Sequence, residues 1–164
     1  MEISKSSRHS KITGDFAERL VLYWLSKYGF ECAYVDHVGV DIIARNPHAD
    51  EIMGISVKSR SRNPGTEGTY VSIPNDNLTK LDAACKAFDC KPYFAVVVDE
   101  AEAISVYILS KAHLLALHPA GNRVISWKMG DKWTAKLTFR TSADAFGANF
   151  LRRRRSAGDQ ALTR

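Results

Sequence analysis

Three charged residues stand in parts of the sequence that otherwise have the pattern of hydrophobic elements. Asp41 interrupts the apolar run GVDIIA, although strands are depleted in Asp. Lys58 and Ser56 alternate with apolar residues, which places both side chains on one face of a strand. Glu18 lies in a stretch whose apolar residues recur at helical spacing. Packing alone does not explain these positions, so the charged residues are candidates for chemistry.

The residue types suit phosphodiester hydrolysis. If the strands that carry Asp41 and Lys58 pair as a hairpin, the two side chains approach on one face, and a helix can supply Glu18 from the side. Two carboxylates can hold Mg²⁺, whose remaining positions go to water and a phosphate oxygen. A lysine beside the metal can orient or deprotonate the attacking water and stabilise the charge of the phosphorane.

Each of these residues also has an ordinary explanation when it is taken alone. Glu18 fits a solvated helix position, and Lys58 fits a basic strand edge. Asp41 fits a turn cap or an ion pair with Arg45 or Lys58. Only the combination favours a site.

The elements that position these residues can be predicted from hydrophobic spacing and turn residues. Thr13 can cap a helix over 13–28, and Gly29 is a stop signal for it. The first three strands should form an antiparallel meander after this helix. We predict strands over 30–38, 39–46, 51–60, 70–73, 91–100 and 103–109, helices near 76–89 and 110–117, and a closing hairpin of 124–129 with 132–140. This order predicts an α/β or α+β fold with a mixed central sheet.

Residues 14–60 resemble the core of the PD-(D/E)XK nuclease superfamily, which has the restriction-endonuclease-like fold. They are most similar to archaeal Holliday-junction resolvases and related small endonuclease-like proteins. The shared motifs are a G-x-x-A-E helix, a G-x-D-[ILV]-[ILV]-A stretch and a strand bearing [E/Q]-x-K. Here the motifs are Gly14, Ala17 and Glu18; Gly39, Asp41, Ile42, Ile43 and Ala44; and Ser56 and Lys58. The resemblance implies an α/β fold with an αβββαβ core, in which helices flank a mixed central sheet.

The resemblance also implies roles for the residues of the site. Lys58, Asp41 and Glu18 would be the catalytic residues. Asp41, Glu18 and the backbone carbonyl of Val57 would hold Mg²⁺, for which Mn²⁺ can substitute.

Ser56 departs from the pattern of the superfamily, which has Glu or Gln at this position as a metal ligand. A serine hydroxyl is shorter and neutral, and it is a poorer ligand for a hard cation. Ser56 is therefore a degenerate ligand position. Glu51 lies at the far end of the same strand and is a poor substitute.

Basic residues outside the site are candidates for contacts with nucleic acid phosphates. The tail 151–164 holds five arginines and one aspartate, whereas the other 150 residues hold 18 basic and 17 acidic side chains. The charge of +5 is thus concentrated in the tail, for which a solvated, disordered end is the alternative. The predicted contacts are Arg60, Arg62, Arg152, Arg153, Arg154 and Arg155.

Length and composition limit the class of protein. With 164 residues, we expect one domain over 1–150 followed by the tail. No apolar run approaches the roughly 20 residues that span a bilayer, and the basic start is not followed by the apolar stretch of a signal peptide. Three cysteines without C-x-x-C spacing predict reduced thiols and no zinc site. We therefore expect a cytoplasmic protein with no membrane partner.

Two functions of different classes follow from these residues. The first is a Mg²⁺-dependent DNA endonuclease. The second is a catalytically impaired nuclease-fold module that binds DNA or a protein, because Ser56 replaces an expected ligand. RNA stays open as a substrate, and resolvase-like relatives imply a homodimer.

Overall fold

A six-stranded mixed β-sheet forms the centre of the described structure. The computed structural model describes residues 10–62, 66, 69–100 and 103–128, and the backbone of 145–150. Within these residues the helices are α1 (Ser10–Lys27), α2 (Asn75–Ala87) and α3 (Lys111–Leu117). The strands are β1 (Glu31–His37), β2 (Val40–Asn46), β3 (Glu51–Ser61), β4 (Val71–Pro74), β5 (Lys91–Glu100), β6 (Ala103–Ser110), β7 (Val124–Trp127) and β8 (Ala145–Phe150).

The order of strands in the sheet is β1-β2-β3-β5-β6-β8. β3 and β5 run parallel, whereas the other neighbouring pairs are antiparallel. Parallel strands need a crossover connection, and α2 lies in the connection from β3 to β5. β4 and β7 form a separate antiparallel pair. The predicted α/β class and αβββαβ core are confirmed, with β4 inserted before α2.

α1 begins earlier than the sequence predicted. Thr13 lies inside the helix, which starts at Ser10, so the prediction that Thr13 caps it is wrong. No helix-breaking residue separates Ser10 from Thr13, and the helix continues through them. The predicted stop is confirmed: the helix ends at Lys27, and Gly29 has a left-handed φ of 84°.

The remaining elements lie close to their predicted ranges, except β8, for which no strand was predicted. One strand has a partner that the sequence did not predict. β7 pairs with β4, with Val71 opposite Trp127. The predicted partner 132–140 lies outside the described residues, so the closing hairpin stays a prediction. Within the described part of the chain, no helix is long and apolar enough to cross a membrane.

The two faces of the sheet are covered by different elements. α1 buries Ala17, Val21 and Leu25 against one face, where Ile42 and Ile55 belong to the same hydrophobic cluster. The opposite face is covered by α2 and by the β4–β7 pair. That second cluster contains Leu81, Cys85, Phe94, Val96, Ile73 and Trp127. Each side of the sheet therefore has its own core, and β5, buried from Tyr93 to Val98, contributes to both.

Two glycines of the recognised motifs differ in their surroundings. Gly39, in the turn between β1 and β2, has a φ of 95°, and a Cβ there would collide with the backbone carbonyl of Lys80 in α2. A Cβ at Gly14 would meet nothing within 4 Å. Gly39 is thus required by the close packing of the turn that precedes Asp41.

Candidate active site

The candidate site lies where β2 and β3 separate. Their regular pairing ends at Ile42 opposite Ile55, and the next residues along the two strands are Asp41 and Ser56. There the side chain of Asp41 takes the place of a backbone partner, because Oδ2 of Asp41 accepts a hydrogen bond of 2.6 Å from the backbone N–H of Val57. The predicted approach of Asp41 to the end of β3 is present in the structure. The separation of the strands leaves polar groups of both at one point.

Lys58 contacts two groups of its own strand, the degenerate ligand position Ser56 and the Val57 carbonyl that was predicted to hold the metal. Its Nζ donates to Oγ of Ser56 at 3.0 Å and to the carbonyl oxygen of Val57 at 3.1 Å. Ser56 is almost fully buried, at 2% exposure, whereas Lys58 is half-buried. The ammonium of Lys58 therefore lies among oxygen atoms of its own strand, and it interacts electrostatically with the Asp41 carboxylate.

Glu18 of α1 is held by a residue of β1 that the sequence did not reveal. The Tyr34 hydroxyl in β1 donates a hydrogen bond of 2.8 Å to Oε2 of Glu18. The guanidinium of Arg19 lies 4.0 Å from the centre of the Tyr34 ring. Alternation along β1 places Tyr34 and Cys32 on the face that packs against α1, and this was the only sequence signal for the contact.

Burial destabilises the charged forms of the groups at this site. Burial raises the pKa of Asp41, which the hydrogen bond from Val57 and the charge of Lys58 only partly offset. Burial lowers the pKa of Lys58, and the negative charges of Asp41 and Glu18 partly counteract this shift. Burial also raises the pKa of Glu18, which the hydrogen bond from Tyr34 opposes and the nearby Asp41 charge reinforces.

Tyr34 is affected by the same contact. Its hydrogen bond to Glu18 raises the pKa of Tyr34 to about 12. The phenol therefore keeps its proton at neutral pH and remains a donor to Glu18.

The donor atoms at the site suit a hard divalent cation with an incomplete protein shell. Asp41, Glu18 and the Val57 carbonyl supply oxygen ligands, and Mg²⁺ commonly uses one or two carboxylates with water in its other positions. A cation would also offset the burial that raises the pKa of Asp41. Among the described residues, no group of three or more His, Cys, Asp or Glu side chains is clustered for metal binding. The fit therefore depends on two carboxylates and a backbone oxygen, without a third acidic side chain.

Glu51 lies at the opposite end of β3 from the candidate site. It accepts a hydrogen bond of 2.6 Å from the Tyr93 hydroxyl, and its Oε2 lies 2.7 Å from Nζ of Lys91. It is thus engaged in a separate ion pair and cannot replace the ligand that Ser56 lacks.

Arg62 has a different place from the one that the sequence predicted. Its side chain is 1% exposed and donates to the carbonyl oxygens of Thr66 at 2.8 Å and Thr69 at 2.5 Å. Its Nε lies 3.9 Å from a carboxylate oxygen of Glu100. The prediction that Arg62 contacts nucleic acid is therefore corrected: the guanidinium is buried and bonds the backbone carbonyls of Thr66 and Thr69.

Arg60 is exposed, and its contact with nucleic acid stays a prediction. It lies with Lys58 in a groove of about 440 Å³ between the end of β3 and residues 69–72. Arg152 to Arg155 lie outside the described residues.

Comparisons with known proteins identify the fold. Neither a protein-family model nor a curated protein matches the chain. Among solved structures, the chain is similar to Hjc, a Holliday junction resolvase from the archaeal hyperthermophile Archaeoglobus fulgidus. The similarity covers 70% of this chain and 83% of the resolvase, at 20% sequence identity and a TM-score of 0.52. The chain therefore has the nuclease-like fold of that protein.

Proposed function

We propose that the protein is a Mg²⁺-dependent endodeoxyribonuclease whose site comprises Glu18, Asp41 and Lys58. The observation that carries the proposal is the hydrogen bond between Asp41 and the Val57 N–H at the point where β2 and β3 separate. It brings a carboxylate, a backbone carbonyl and a lysine amine to one place at the end of the sheet. Those are the groups that metal-dependent phosphodiester hydrolysis needs.

The residues of the chain would divide the work as follows. Glu18, Asp41 and the Val57 carbonyl would hold Mg²⁺, which supplies Lewis acidity toward a phosphate oxygen. Because burial lowers the pKa of Lys58, its neutral amine is more accessible than that of a surface lysine. Lys58 would take a proton from the attacking water, or orient it, and stabilise the developing charge. Tyr34 would hold the Glu18 carboxylate in place.

The likeness to a Holliday junction resolvase extends the proposal to the partners. DNA is the proposed substrate, Arg60 and the tail arginines Arg152 to Arg155 are the proposed phosphate contacts, and a homodimer is the proposed assembly. We place the nuclease-like domain at 1–150, the basic tail at 151–164 and the protein in the cytoplasm.

Cleavage of supercoiled plasmid DNA and of branched oligonucleotides tests the proposal. Wild-type protein should cut in Mg²⁺ or Mn²⁺ and not in EDTA. Asp41→Ala should lower the rate at least about 100-fold, because it removes a ligand of the catalytic metal. Asp50→Ala is the matched control, since Asp50 is exposed and pairs with Arg45 on the surface. Unchanged cleavage by a clean Asp41→Ala preparation would exclude this mechanism.

A specific observation also favours a second candidate, a DNA-binding module that does not cut. Ser56 supplies no carboxylate, and the Lys58 ammonium already contacts both Ser56 and the Val57 carbonyl. An internal cation thereby lies where a metal would bind. This candidate predicts DNA binding that salt and deletion of 151–164 weaken, with no cleavage in Mg²⁺. Absence of binding at low salt would eliminate it.

A further inference from the structure

A groove that Lys58 and Arg60 line has an opposite wall to which the proposed chemistry assigns no role. The groove has a volume of about 440 Å³, and its walls are the end of β3 and residues 69–72, which include the start of β4. Lys58 and Arg60 bring two positive charges to one wall. The groove is therefore continuous with the candidate active site and large enough for a nucleotide-sized group.

The opposite wall of the groove presents an aromatic side chain. Tyr70 is 55% exposed, whereas its neighbour Val71, the first residue of β4, is 4% exposed and belongs to the core that α2 covers. Strand alternation accounts for this difference, because it turns Val71 inward and leaves Tyr70 and Ser72 outward. Tyr70 lies along the wall of the groove that faces the basic end of β3.

A buried arginine fixes the backbone next to Tyr70. Arg62 donates from one nitrogen to the carbonyl of Thr69 and from another to the carbonyl of Thr66. The Thr69 backbone N–H and hydroxyl also bond the Thr66 carbonyl, at 3.1 Å and 2.9 Å. The segment that carries Tyr70 is thus held by several hydrogen bonds, which limits the entropy lost when the ring orders on a ligand.

We propose that this groove is a nucleobase subsite, in which Tyr70 stacks on an unpaired base while Arg60 holds the adjoining phosphate. Aromatic side chains stack on bases of any sequence, and basic side chains hold the backbone beside them. A base inside a continuous duplex has both faces covered by its neighbours, so it can reach Tyr70 only after it is unstacked. The substrate class is therefore DNA with single-stranded or unpaired nucleotides next to the cleaved bond. This inference rests on the proposed function and names the substrate of the same site.

Binding measurements in EDTA test the subsite without cleavage. The probes are a fluorescein-labelled single-stranded deoxyoligonucleotide, a duplex of equal length, and a single strand of abasic nucleotides. Tyr70→Ala should weaken binding of the single strand about 10-fold, leave the duplex within about 2-fold and have no effect on the abasic strand. Tyr70→Phe should bind the single strand like wild type, which separates stacking from the hydroxyl.

Tyr23→Ala is the matched control, because Tyr23 is 56% exposed and lies on α1. It should leave all three affinities unchanged, and circular dichroism checks that each variant folds. The subsite is overturned if Tyr70→Ala weakens the duplex or the abasic strand equally, or leaves the single strand unchanged. If the wild-type protein shows no Mg²⁺-dependent cleavage but Tyr70→Ala still weakens binding of the single strand, the nuclease proposal is rejected and the subsite is supported. If the wild-type protein cleaves DNA but Tyr70→Ala does not change binding, the subsite is rejected and the nuclease proposal is supported.

Discussion

Strand β3 has a carboxylate and a lysine near each of its ends, and the two pairs are in opposite electrostatic states. At its start, hydrogen bonds from Lys91 and Tyr93 outweigh burial and hold the pKa of Glu51 below its usual range. At its other end, burial raises the pKa of Asp41 and lowers that of Lys58. The charged form of Glu51 is thus stabilised by its partners, whereas burial destabilises the charged forms of Asp41 and Lys58.

The difference shows how a structural ion pair can be distinguished from a candidate site within one strand. A carboxylate that accepts two charge-assisted or short hydrogen bonds contributes to stability, and its charge is already compensated without a bound ligand. Groups whose charged forms are disfavoured, at a point where two strands separate, are poised for a ligand that offsets the burial. The two ends of β3 therefore supply matched variants for each other.

The largest expected effect is that of replacing Lys58, with Lys91 as the control. Lys58→Ala should lower Mg²⁺-dependent cleavage at least about 100-fold, because it removes the group proposed to act on the attacking water. Lys91→Ala should leave the cleavage rate within about 2-fold, since Lys91 lies at the other end of β3. Single-turnover rates on the same DNA check both variants. Similar losses of cleavage in the two variants would contradict the assignment of the active site to the Lys58 end of β3.

The Glu51 pair should affect stability rather than activity. Glu51→Gln should lower the free energy of unfolding by about 1–2 kcal/mol at neutral pH, because it weakens charged hydrogen bonds to Lys91 and Tyr93. The pKa of Glu51 is lowered on folding, so its stabilisation is complete above the ordinary value of 4.5 and is lost as the pH falls through the folded-state pKa. Urea unfolding of wild type and variant across acidic pH should show the difference shrink; a constant difference would contradict this origin.

Ser56→Glu should make the active end more like that of the superfamily. A third carboxylate should tighten Mg²⁺ binding about 10-fold and raise cleavage at limiting Mg²⁺. Ser56→Ala, which adds no ligand, is the control. If Ser56→Glu folds, shown by circular dichroism, and gains neither metal affinity nor cleavage, Ser56 is not the missing ligand position.

Asp41→Asn should have the smallest effect on the metal-free protein, with a sign opposite to that of Glu51→Gln. The amide oxygen can still accept the Val57 N–H, while the buried charge is removed. Because the pKa of Asp41 is raised on folding, its contribution to stability is lost as the pH rises through the folded-state pKa. We expect a gain of roughly 0.5–1 kcal/mol at pH 7 that disappears below the ordinary value of 3.8, measured by thermal unfolding in EDTA. A loss of stability of Asp41→Asn at pH 7 would contradict the destabilising effect of the buried Asp41 charge.

Local patterns predicted most of the fold. The apolar spacing of α1 and the run KPYFAVVVDE led to elements close to those observed, although the start of α1 was wrong and β8 was not predicted. The pairing of β4 with β7 could not be predicted, because it joins segments that are distant in the chain and depends on the core beneath α2.

The site was predictable in its residue types and less so in its surroundings. The sequence placed Asp41 near Lys58 because strand pairing follows from local order. It did not reveal Tyr34, whose contact with Glu18 joins a helix to a strand. It also misplaced Arg62, since a basic run after a strand has the same composition whether its side chains are solvated or covered by a loop.

Metal binding compares the two ends of β3 most directly. Titration of Mn²⁺, followed by electron paramagnetic resonance of the free ion, should give an affinity for wild type and Glu51→Gln that is at least about 10-fold tighter than for Asp41→Asn. This result would assign the metal to the end where β2 and β3 separate. A wild-type protein that binds no Mn²⁺, or an Asp41→Asn variant that binds it as tightly as wild type, would contradict the proposed site.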